Sequence, residues 1–370
     1  MDFSIAVVGT GPSGIVFADM VARLYREKNM DNITVHFFEQ RDHIGGNTYD
    51  YFDKDAQTFV HKYGPHIWHT SSESVMDYMN ARGAEFYAYK HRVEALIEGR
   101  TVHLPISLAT ARDLGMKVFP SNVPENATNT EVVLGKLGEM GQKIVIDYSE
   151  KQWLVPFDQL DPAIFKRLQL RNDSSPYYFK DRWQLMPVNG FTDMWQSIVE
   201  KIPAEIYMHF NDVITEDKMN WLNATFDAVY YTGHVDAFSE HKLEWRNTEI
   251  RIEKYDTPWF LSAAVVNTPE PDKPFTRITE FKHFDQHYNS ADKTVVMYET
   301  PTICEGDDIV KAYPYRTTKT VTMYEKIRKE FAEKYPAVVL GGRLGKYVYI
   351  DMDQAVSAAI ADAKRFMKGA

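Results

Sequence analysis

An α/β fold built on a parallel, doubly wound sheet is predicted for this chain of 370 residues, and three observations predict it. Ile5-Ala6-Val7-Val8 is a short apolar run that reads as a buried parallel strand, and Gly9, Gly11 and Gly14 follow it at G-x-G-x-x-G spacing. Helix-like apolar spacing from Ile15 to Leu24 then leads to a second apolar run, Ile33–Phe38, which ends in Glu39. Near the C-terminus the alternation returns. The strand pattern Val338–Leu340 and a glycine cluster precede a helix from about Gln354, with Val356, Ala359, Ile360, Ala363 and Met367 on one face.

Each glycine of the first turn answers a physical demand. Gly9 permits the tight turn, Gly11 admits a pyrophosphate to the backbone, and Gly14 lets the helix lie close to the strand. Pro12 and Ser13 stand with them, at a helix start whose free N–H groups and partial positive charge suit phosphate. Glu39 is placed to hydrogen-bond an adenosine ribose, its distance from Gly14 lengthened by the polar loop Arg26–Asn32. Alone the motif is weak, because an ordinary glycine-rich turn has the same text. Gln40, Arg41 and a second glycine cluster, Gly45-Gly46-Asn47, follow the acid directly. That continuation resembles two-dinucleotide-fold flavoproteins more than nicotinamide dehydrogenases, and it implies a tightly bound FAD.

Bulk numbers exclude several alternatives. With 44% apolar and 25% charged residues the chain is globular and long enough for two or three domains. Lys and Arg number 42 against 52 Asp and Glu, a net charge of −10, which argues against nonspecific nucleic-acid binding. Cys304 is the only cysteine, so no intramolecular disulfide and no cysteine metal cluster is expected. No apolar run approaches the ~20 residues of a membrane span. The first strand begins almost at Met1 and leaves no room for a signal peptide, so a cytoplasmic location is expected.

The middle of the chain is more varied. His61, His66 and His69 have no accompanying carboxylate or cysteine pattern, so no metal is assigned to them. Hydrogen-bonded histidines in a buried loop fit better, and Gly64-Pro65-His66 fits best as a loop touching the flavin. A helix is expected over Ser74–Arg82, and strands over Arg92–Ile97 and Thr101–Pro105. Ser107–Asp147, with its polar loop Pro120–Asn129, opens a small helical insertion that continues through Tyr148–Leu170. Phe191–Ile202 is a helix, and Ile206–Ile214 and Phe226–Gly233 are strands that bring Val213 and Gly233 to the cofactor. Alternating runs between Trp245 and Tyr298, including Ala263–Val266 and Thr294–Tyr298, predict an antiparallel sheet. After a helix over Thr320–Tyr335, Tyr347–Asp353 reads as a strand feeding the terminal helix, with Asp351 or Asp353 as its N-cap facing the flavin pyrimidine edge.

The expected division is therefore a discontinuous FAD-binding domain (1–84, 203–241, 336–370), a helical insertion or lid (106–170) and an antiparallel sheet domain (85–105, 171–202, 242–335).

These residues together resemble the UDP-galactopyranose mutase family. The resemblance is carried by Gln40–Asn47, by Tyr63–Ile67 with His69-Thr70, and by Lys151-Gln152-Trp153. It continues in Ile164–Leu168, in Thr276–Glu280, and in Gly342–Gly345 with Tyr349–Asp353, and spans residue 5 to the C-terminus except roughly 106–147. It implies interconversion of UDP-galactopyranose and UDP-galactofuranose with no net redox change. In that scheme N5 of reduced FAD attacks the anomeric carbon and displaces UDP, and the opened sugar recloses through another hydroxyl before UDP returns. A UDP-sugar substrate, a flavin-reducing donor (NAD(P)H or a reductase) and a homodimer are implied with it.

Residue by residue, the resemblance makes Arg167 and Arg277 the diphosphate-binding pair, with Arg167 on a mobile lid. Guanidinium suits a diphosphate because it is permanently charged and bidentate. Tyr178, Tyr313 and Tyr349 match phosphate-binding tyrosines, and Tyr148, Ser149 and Trp153 match the uridine and lid region. In a chain with 22 tyrosines composition alone would not single these out. Arg246, Asn267, Glu299 and Asp351 are further substrate-side matches, and His66, Arg343, Asp351 and Met352 border the flavin. Two departures bear on the sugar pocket: His91 stands where the family has asparagine, and Trp68 replaces phenylalanine. The same chemistry on UDP-arabinopyranose or UDP-N-acetylgalactosamine therefore stays open. So do an FAD-dependent oxidoreductase of amine-oxidase type, which gives no reason for the arginine pair, and a noncatalytic nucleotide-sugar or flavin-binding protein, which would bind UDP-sugar equally with the flavin oxidised or reduced and produce no isomer.

Overall fold

The computed structural model describes residues 3–30, 32–115, 141–160, 171, 173–285, 290–304 and 311–369. The expected loop Pro120–Asn129 and Arg167 lie outside them. Phe3–Val8 pairs in parallel with Ile33–Phe38 on one side and Ala228–Tyr231 on the other. Glu205–His209 and Val338–Leu340 form the two edges of this five-stranded parallel sheet. Ile5, Ala6 and Val7 are fully buried because helices cover both faces. Pro12–Glu27, Gly190–Glu200 and the C-terminal Met352–Gly369 share one face, and Glu216–Thr225 and Thr318–Lys334 share the other.

A seven-stranded sheet runs in the order Tyr313–Pro314, Trp245–Tyr255, Thr294–Ile303, Arg277–Glu280, Val265–Asn267, Val93–Ile97, Arg100–Leu104. It is antiparallel apart from Val265–Asn267, which pairs in parallel with Val93–Ala95. Phe281, Phe284, Val295 and Met297 join the same apolar core as Ile5, Phe17 and Trp195, so the two sheets are packed through one continuous interior. At the far edge a smaller core unites Val93, Val102 and Leu104 with Ile144 and Val145. Those two residues lie in a π-helical turn, Gln142–Asp147, that runs directly into the helix Tyr148–Trp153. The described end of the insertion is thereby fastened to the sheet.

Three local expectations need correction. The strand over Ile206–Ile214 stops at His209, Asn211 adopts φ +56°, and Thr215 caps an unanticipated helix by accepting the Lys218 N–H at 3.3 Å. Its short, polar text hides that helix from a periodicity argument. Tyr347–Asp353 is not a strand. Gly342–Gly345 forms one helical turn and Tyr347, at φ +49°, is buried with its hydroxyl 2.7 Å from the carbonyls of both Glu244 and Tyr315. The alternation there records anchoring of a bend. Trp68 is wholly buried, packs near Phe86 and Trp195, and donates its indole N–H to the sulfur of Met76 at 3.3 Å. It fills the core and not the sugar pocket.

Candidate active site

The first half of the site is main chain. Gly9 turns the strand into the helix at φ +95°, and its N–H donates to Phe38 O at 2.8 Å. A Cβ on Gly14 would sit 2.0 Å from Gly9 O, and one on Gly46 would sit 2.8 Å from the Cα of Gly11. The two glycine clusters thus meet backbone to backbone, with Gly45 N–H donating to Thr10 O at 2.9 Å. The helix from Pro12 has Gly11 at its N-cap and no side-chain cap, which leaves its first N–H groups for a phosphate. Ser13 and Thr232 stand against Gly342, closing the cradle with the C-terminal segment.

Glu39 is buried and accepts from Thr10 N–H at 2.9 Å, Thr10 Oγ1 at 2.7 Å and Arg41 N–H at 3.0 Å. It locks both loops together while keeping carboxylate lone pairs for a ribose. Arg41 lies 4.0 Å over the Tyr63 ring and donates to Asn47 Oδ1 at 3.0 Å. Asp212 N–H donates to Glu39 O at 2.9 Å, so exposed Val213 follows immediately beside the acid. Gln40 is exposed, and Gly233 abuts the Tyr231 ring at the end of its strand.

Between cradle and sheet lies the histidine loop. His66 N–H donates to His61 Nδ1 at 2.9 Å, and His66 Nδ1 donates to Gly64 O at 2.7 Å. Burial, with His61 and Arg343 nearby, pulls His66 down to about 3. The ring is therefore neutral, with Nε2 left as an acceptor. His69 pairs with Asp181 at 3.0 Å. Among the described residues no group of three or more His, Cys, Asp or Glu is arranged to hold a metal.

Side chains build the second half. Arg277 and Glu299 face each other across adjacent strands, and Arg277 Nε and Nη2 each donate to the carboxylate at 2.6 Å. Glu299 is 4% exposed and Arg277 is 37% exposed, so the carboxylate is sunk and the guanidinium opens to the cleft. Burial opposes the arginine's charge, but Glu299 outweighs it and holds the pKa above its ordinary value. A Cβ on Gly64 would lie 3.6 Å from Glu299 Oε1, which puts the histidine loop against this ion pair. Asn267 faces Arg277 on the other flank, and its buried Oδ1 has no hydrogen-bond partner. Such an acceptor suits a ligand donor.

Aromatic residues wall the cleft. Trp153 meets Tyr313 at 5.5 Å and Tyr349 at 6.4 Å, and the two tyrosines are 5.8 Å apart. Tyr313 is pushed up to about 12 by burial and by Tyr349, so it stays a hydroxyl donor. Burial likewise raises Tyr148, which interacts electrostatically with Arg277, Tyr178, Glu299 and Tyr349. Ser149 is buried beside it. Tyr178 donates its N–H to His91 O at 2.7 Å. Arg343 lies 4.9 Å from the Tyr349 ring and donates to Ile350 O at 2.7 Å, just before Asp351 and Met352 at the start of the terminal helix. Asp351 N–H donates to Gln354 Oε1 at 2.9 Å.

Arg246 is placed differently from Arg277. It is buried, donates to Trp153 O at 2.8 Å and Trp245 O at 3.2 Å, and stacks 4.4 Å over Tyr315. Its guanidinium braces the lid-side helix. Sequence reasoning passed over two neighbours that do the same work. Gln152 donates to Tyr313 OH at 2.9 Å and accepts from Thr276 Oγ1 at 2.8 Å. Lys151 donates to Thr268 O at 2.6 Å and Glu270 O at 2.8 Å, and burial draws it down to about 8. Their only signal was membership of the Lys151-Gln152-Trp153 text.

With this geometry in hand, the comparisons decide the family. Residues 143–349 match UDP-galactopyranose mutase, and residues 7–81 match the NAD(P)-binding Rossmann-like domain. The chain belongs to the UDP-galactopyranose mutase family. A probable UDP-galactopyranose mutase of Klebsiella pneumoniae is 33% identical over 98% of this chain and 94% of its own length. A dTDP-fucopyranose mutase of Escherichia coli is 27% identical over 98% of each. The crystal structure of reduced UDP-galactopyranose mutase matches with a TM-score of 0.70 at 15% identity, covering 100% of this chain and 95% of that one. That likeness is one of fold. His91, expected from the sequence to bear on the sugar pocket, lies beside Tyr178 and Phe179. It is buried, hydrogen-bonded at Nδ1 to Tyr89 OH at 3.1 Å, and pulled down to about 3 by burial with Arg277 and His69 nearby.

Proposed function

We propose that this chain interconverts UDP-galactopyranose and UDP-galactofuranose on a bound, reduced FAD. The observation that carries the reading is the contact between the Gly64–His66 loop and the Arg277–Glu299 pair, which joins a dinucleotide cradle to an anion-binding cleft.

The residues fit FAD. Its pyrophosphate suits the meeting point of Gly9, Gly11 and Gly14 with Gly46, where added Cβ atoms would intrude. Pro12 and Ser13 open the helix there, Glu39 takes the ribose, and Gln40, Arg41, Asn47, Val213 and Gly233 border the adenosine end. His66, Arg343, Asp351 and Met352 border the ring. Bound in its reduced state, FAD supplies a nucleophilic nitrogen for the anomeric carbon with no net transfer of electrons.

The chain's own residues do the rest. Arg277, held by Glu299, offers fixed positive charge to the diphosphate as it leaves and returns. Tyr313, Tyr349 and Tyr178 donate to the same phosphates, Asn267 Oδ1 accepts from the ligand, and Tyr148, Ser149 and Trp153 flank the uridine. Arg167 is the second diphosphate arginine in this reading. Neutral His66 presents an acceptor without adding charge beside the ring. NAD(P)H or a reductase keeps the cofactor reduced. With a single cysteine the chain suits a reducing cytoplasm, and it works as a homodimer. No described helix is long and apolar enough to cross a membrane.

The test is turnover of UDP-galactofuranose by dithionite-reduced and oxidised enzyme, resolved by anion exchange. Conversion to UDP-galactopyranose only after reduction is expected. Equal turnover by both forms, or none with FAD bound, overturns the reading.

A further inference from the structure

The helix Tyr148–Trp153 ends in three side chains that take three directions, because successive residues of a helix are turned by about 100°. Lys151 reaches the carbonyls of Thr268 and Glu270, and Trp153 joins the aromatic wall. Gln152 joins two other segments. Its Oε1 accepts from Thr276 Oγ1 at 2.8 Å, and its amide N–H donates to Tyr313 OH at 2.9 Å. The partners decide which end of the amide faces which. The Thr276 hydroxyl has one proton, and its other acceptor, Glu299 O, is farther away at 3.4 Å and already takes the Thr276 N–H at 2.9 Å. The proton therefore goes to Gln152 Oε1, and the NH2 end is turned to Tyr313. Burial raises the Tyr313 pKa, while hydrogen bonds from Thr248 and Gln152 oppose it, which is how bonds donated to the oxygen act. With its lone pairs engaged, the phenol keeps its proton for a further acceptor.

We infer that Gln152 is a positioning residue that aims the Tyr313 hydroxyl proton at the diphosphate of the substrate. The inference rests on the proposed function, in which Tyr313 donates to the phosphates. A phosphate oxygen only accepts, so a phenol whose proton was turned into the protein would meet it lone pair to charge. Gln152 forbids that wrong orientation, because an amide N–H cannot accept. The hydrogen bonds from Thr276 to Gln152 and from Gln152 to Tyr313 run in one direction, and bonds in such a series polarise one another, which makes the phenol a stronger donor. Thr276 directly precedes Arg277, so the series begins beside one diphosphate-binding group and ends at another. The helix that carries it is held in place on both sides, by Lys151 on the carbonyls of Thr268 and Glu270 and by Arg246 on Trp153 O.

The test measures UDP affinity by isothermal titration calorimetry on FAD-loaded full-length protein, with turnover of UDP-galactofuranose by the reduced enzyme followed alongside. Tyr313→Phe and Gln152→Met are each expected to weaken UDP binding about tenfold with flavin content unchanged. Thr276→Val fills the same space without the hydroxyl and is expected to weaken it several-fold, and Thr276→Ser to restore it. In the Tyr313→Phe background neither Gln152→Met nor Thr276→Val is expected to cost anything further. Gln152 stands between Thr276 and Tyr313, so that coupling reports the series of hydrogen bonds, whereas a mere packing role gives losses that add. Additive losses in the Tyr313→Phe background, or unchanged affinity in Gln152→Met, overturn the inference. A wild type that binds UDP without turnover breaks the mutase reading and leaves the UDP measurements to decide this one. A wild type that does not bind UDP breaks both.

Discussion

The cofactor cradle is made of main chain, and the cleft in the sheet is made of side chains. In the cradle Gly9, Gly14 and Gly46 matter for the atoms they lack, since added carbons would strike Thr232 Oγ1, Gly9 O and Gly11 Cα. In the cleft Arg277 and Glu299 matter for the atoms they carry, two parallel hydrogen bonds of 2.6 Å between a sunken carboxylate and a half-open guanidinium. A main-chain site is defined by steric exclusion and fails when anything is added. A side-chain site is defined by charge and fails when anything is removed.

The sharpest break in that contrast is Gly14→Ala. Its Cβ would sit 2.0 Å from a backbone carbonyl, which cannot rotate away. Strain of about 1–3 kcal/mol or more outweighs the ~1 kcal/mol that alanine gains in a helix. Thermal unfolding and flavin absorbance are expected to show a lowered Tm and little bound cofactor. Gly11→Ala, whose Cβ meets nothing nearer than 3.7 Å, is expected to keep its Tm and lose flavin alone. A matching loss of Tm there would mean that the cradle is only a packing device.

Next in size is Arg277→Ala. Loss of a preorganised charge at the leaving diphosphate is expected to lower kcat about 100- to 1000-fold with flavin retained. Arg277→Lys keeps the charge without the fork, and an intermediate loss, roughly tenfold, is expected. Normal turnover by either variant in a stopped assay removes Arg277 from the diphosphate.

A smaller effect concerns pH. His61, His66 and His91 sit at about 3, against an ordinary 6.5, chiefly through burial. Each is neutral when folded and takes up a proton when unfolded below pH 6.5. Stability is therefore full above 6.5 and falls as pH drops towards 3, with a slope of up to about 1.4 kcal/mol per pH unit for each ring. Urea unfolding at several pH values is expected to show this decline, and His91→Phe is expected to flatten it by one proton. An unchanged slope would place His91 in contact with water.

The smallest is Trp68→Phe. The indole is fully buried, so the cost is expected as about 1–3 kcal/mol of stability with KM for the UDP-sugar unchanged. A changed KM would return position 68 to the sugar pocket.

Legibility followed the same division. The turn from Gly9 to Gly14 could be read from its text, because steric demand acts between residues a few positions apart. The helix Glu216–Thr225 could not, since its polar text carries almost no stripe and the Thr215 cap and the packing of Met219 and Leu222 hold it in place. Tyr347–Tyr349 alternates like a strand, yet the buried Tyr347 hydroxyl, anchored to two carbonyls, pulls it into a bend. Arg246 and Arg277 are equally plausible as isolated arginines. Only neighbours separate them, since one is consumed by Trp153 O and Trp245 O while the other is fixed by Glu299 and left open.

By itself, then, the sequence determined the nucleotide-binding turn, the two strands that flank its helix and the membership of a mutase family. Those depend on local φ preferences, missing Cβ atoms and apolar period. Tertiary structure alone decided which charges converge. Arg277 meets Glu299 from 22 residues away, and Gly64 lies against the same carboxylate from a loop far off in the chain. A cleft of side chains is a product of strand register and chain crossing, and neither is written in any short stretch of residues.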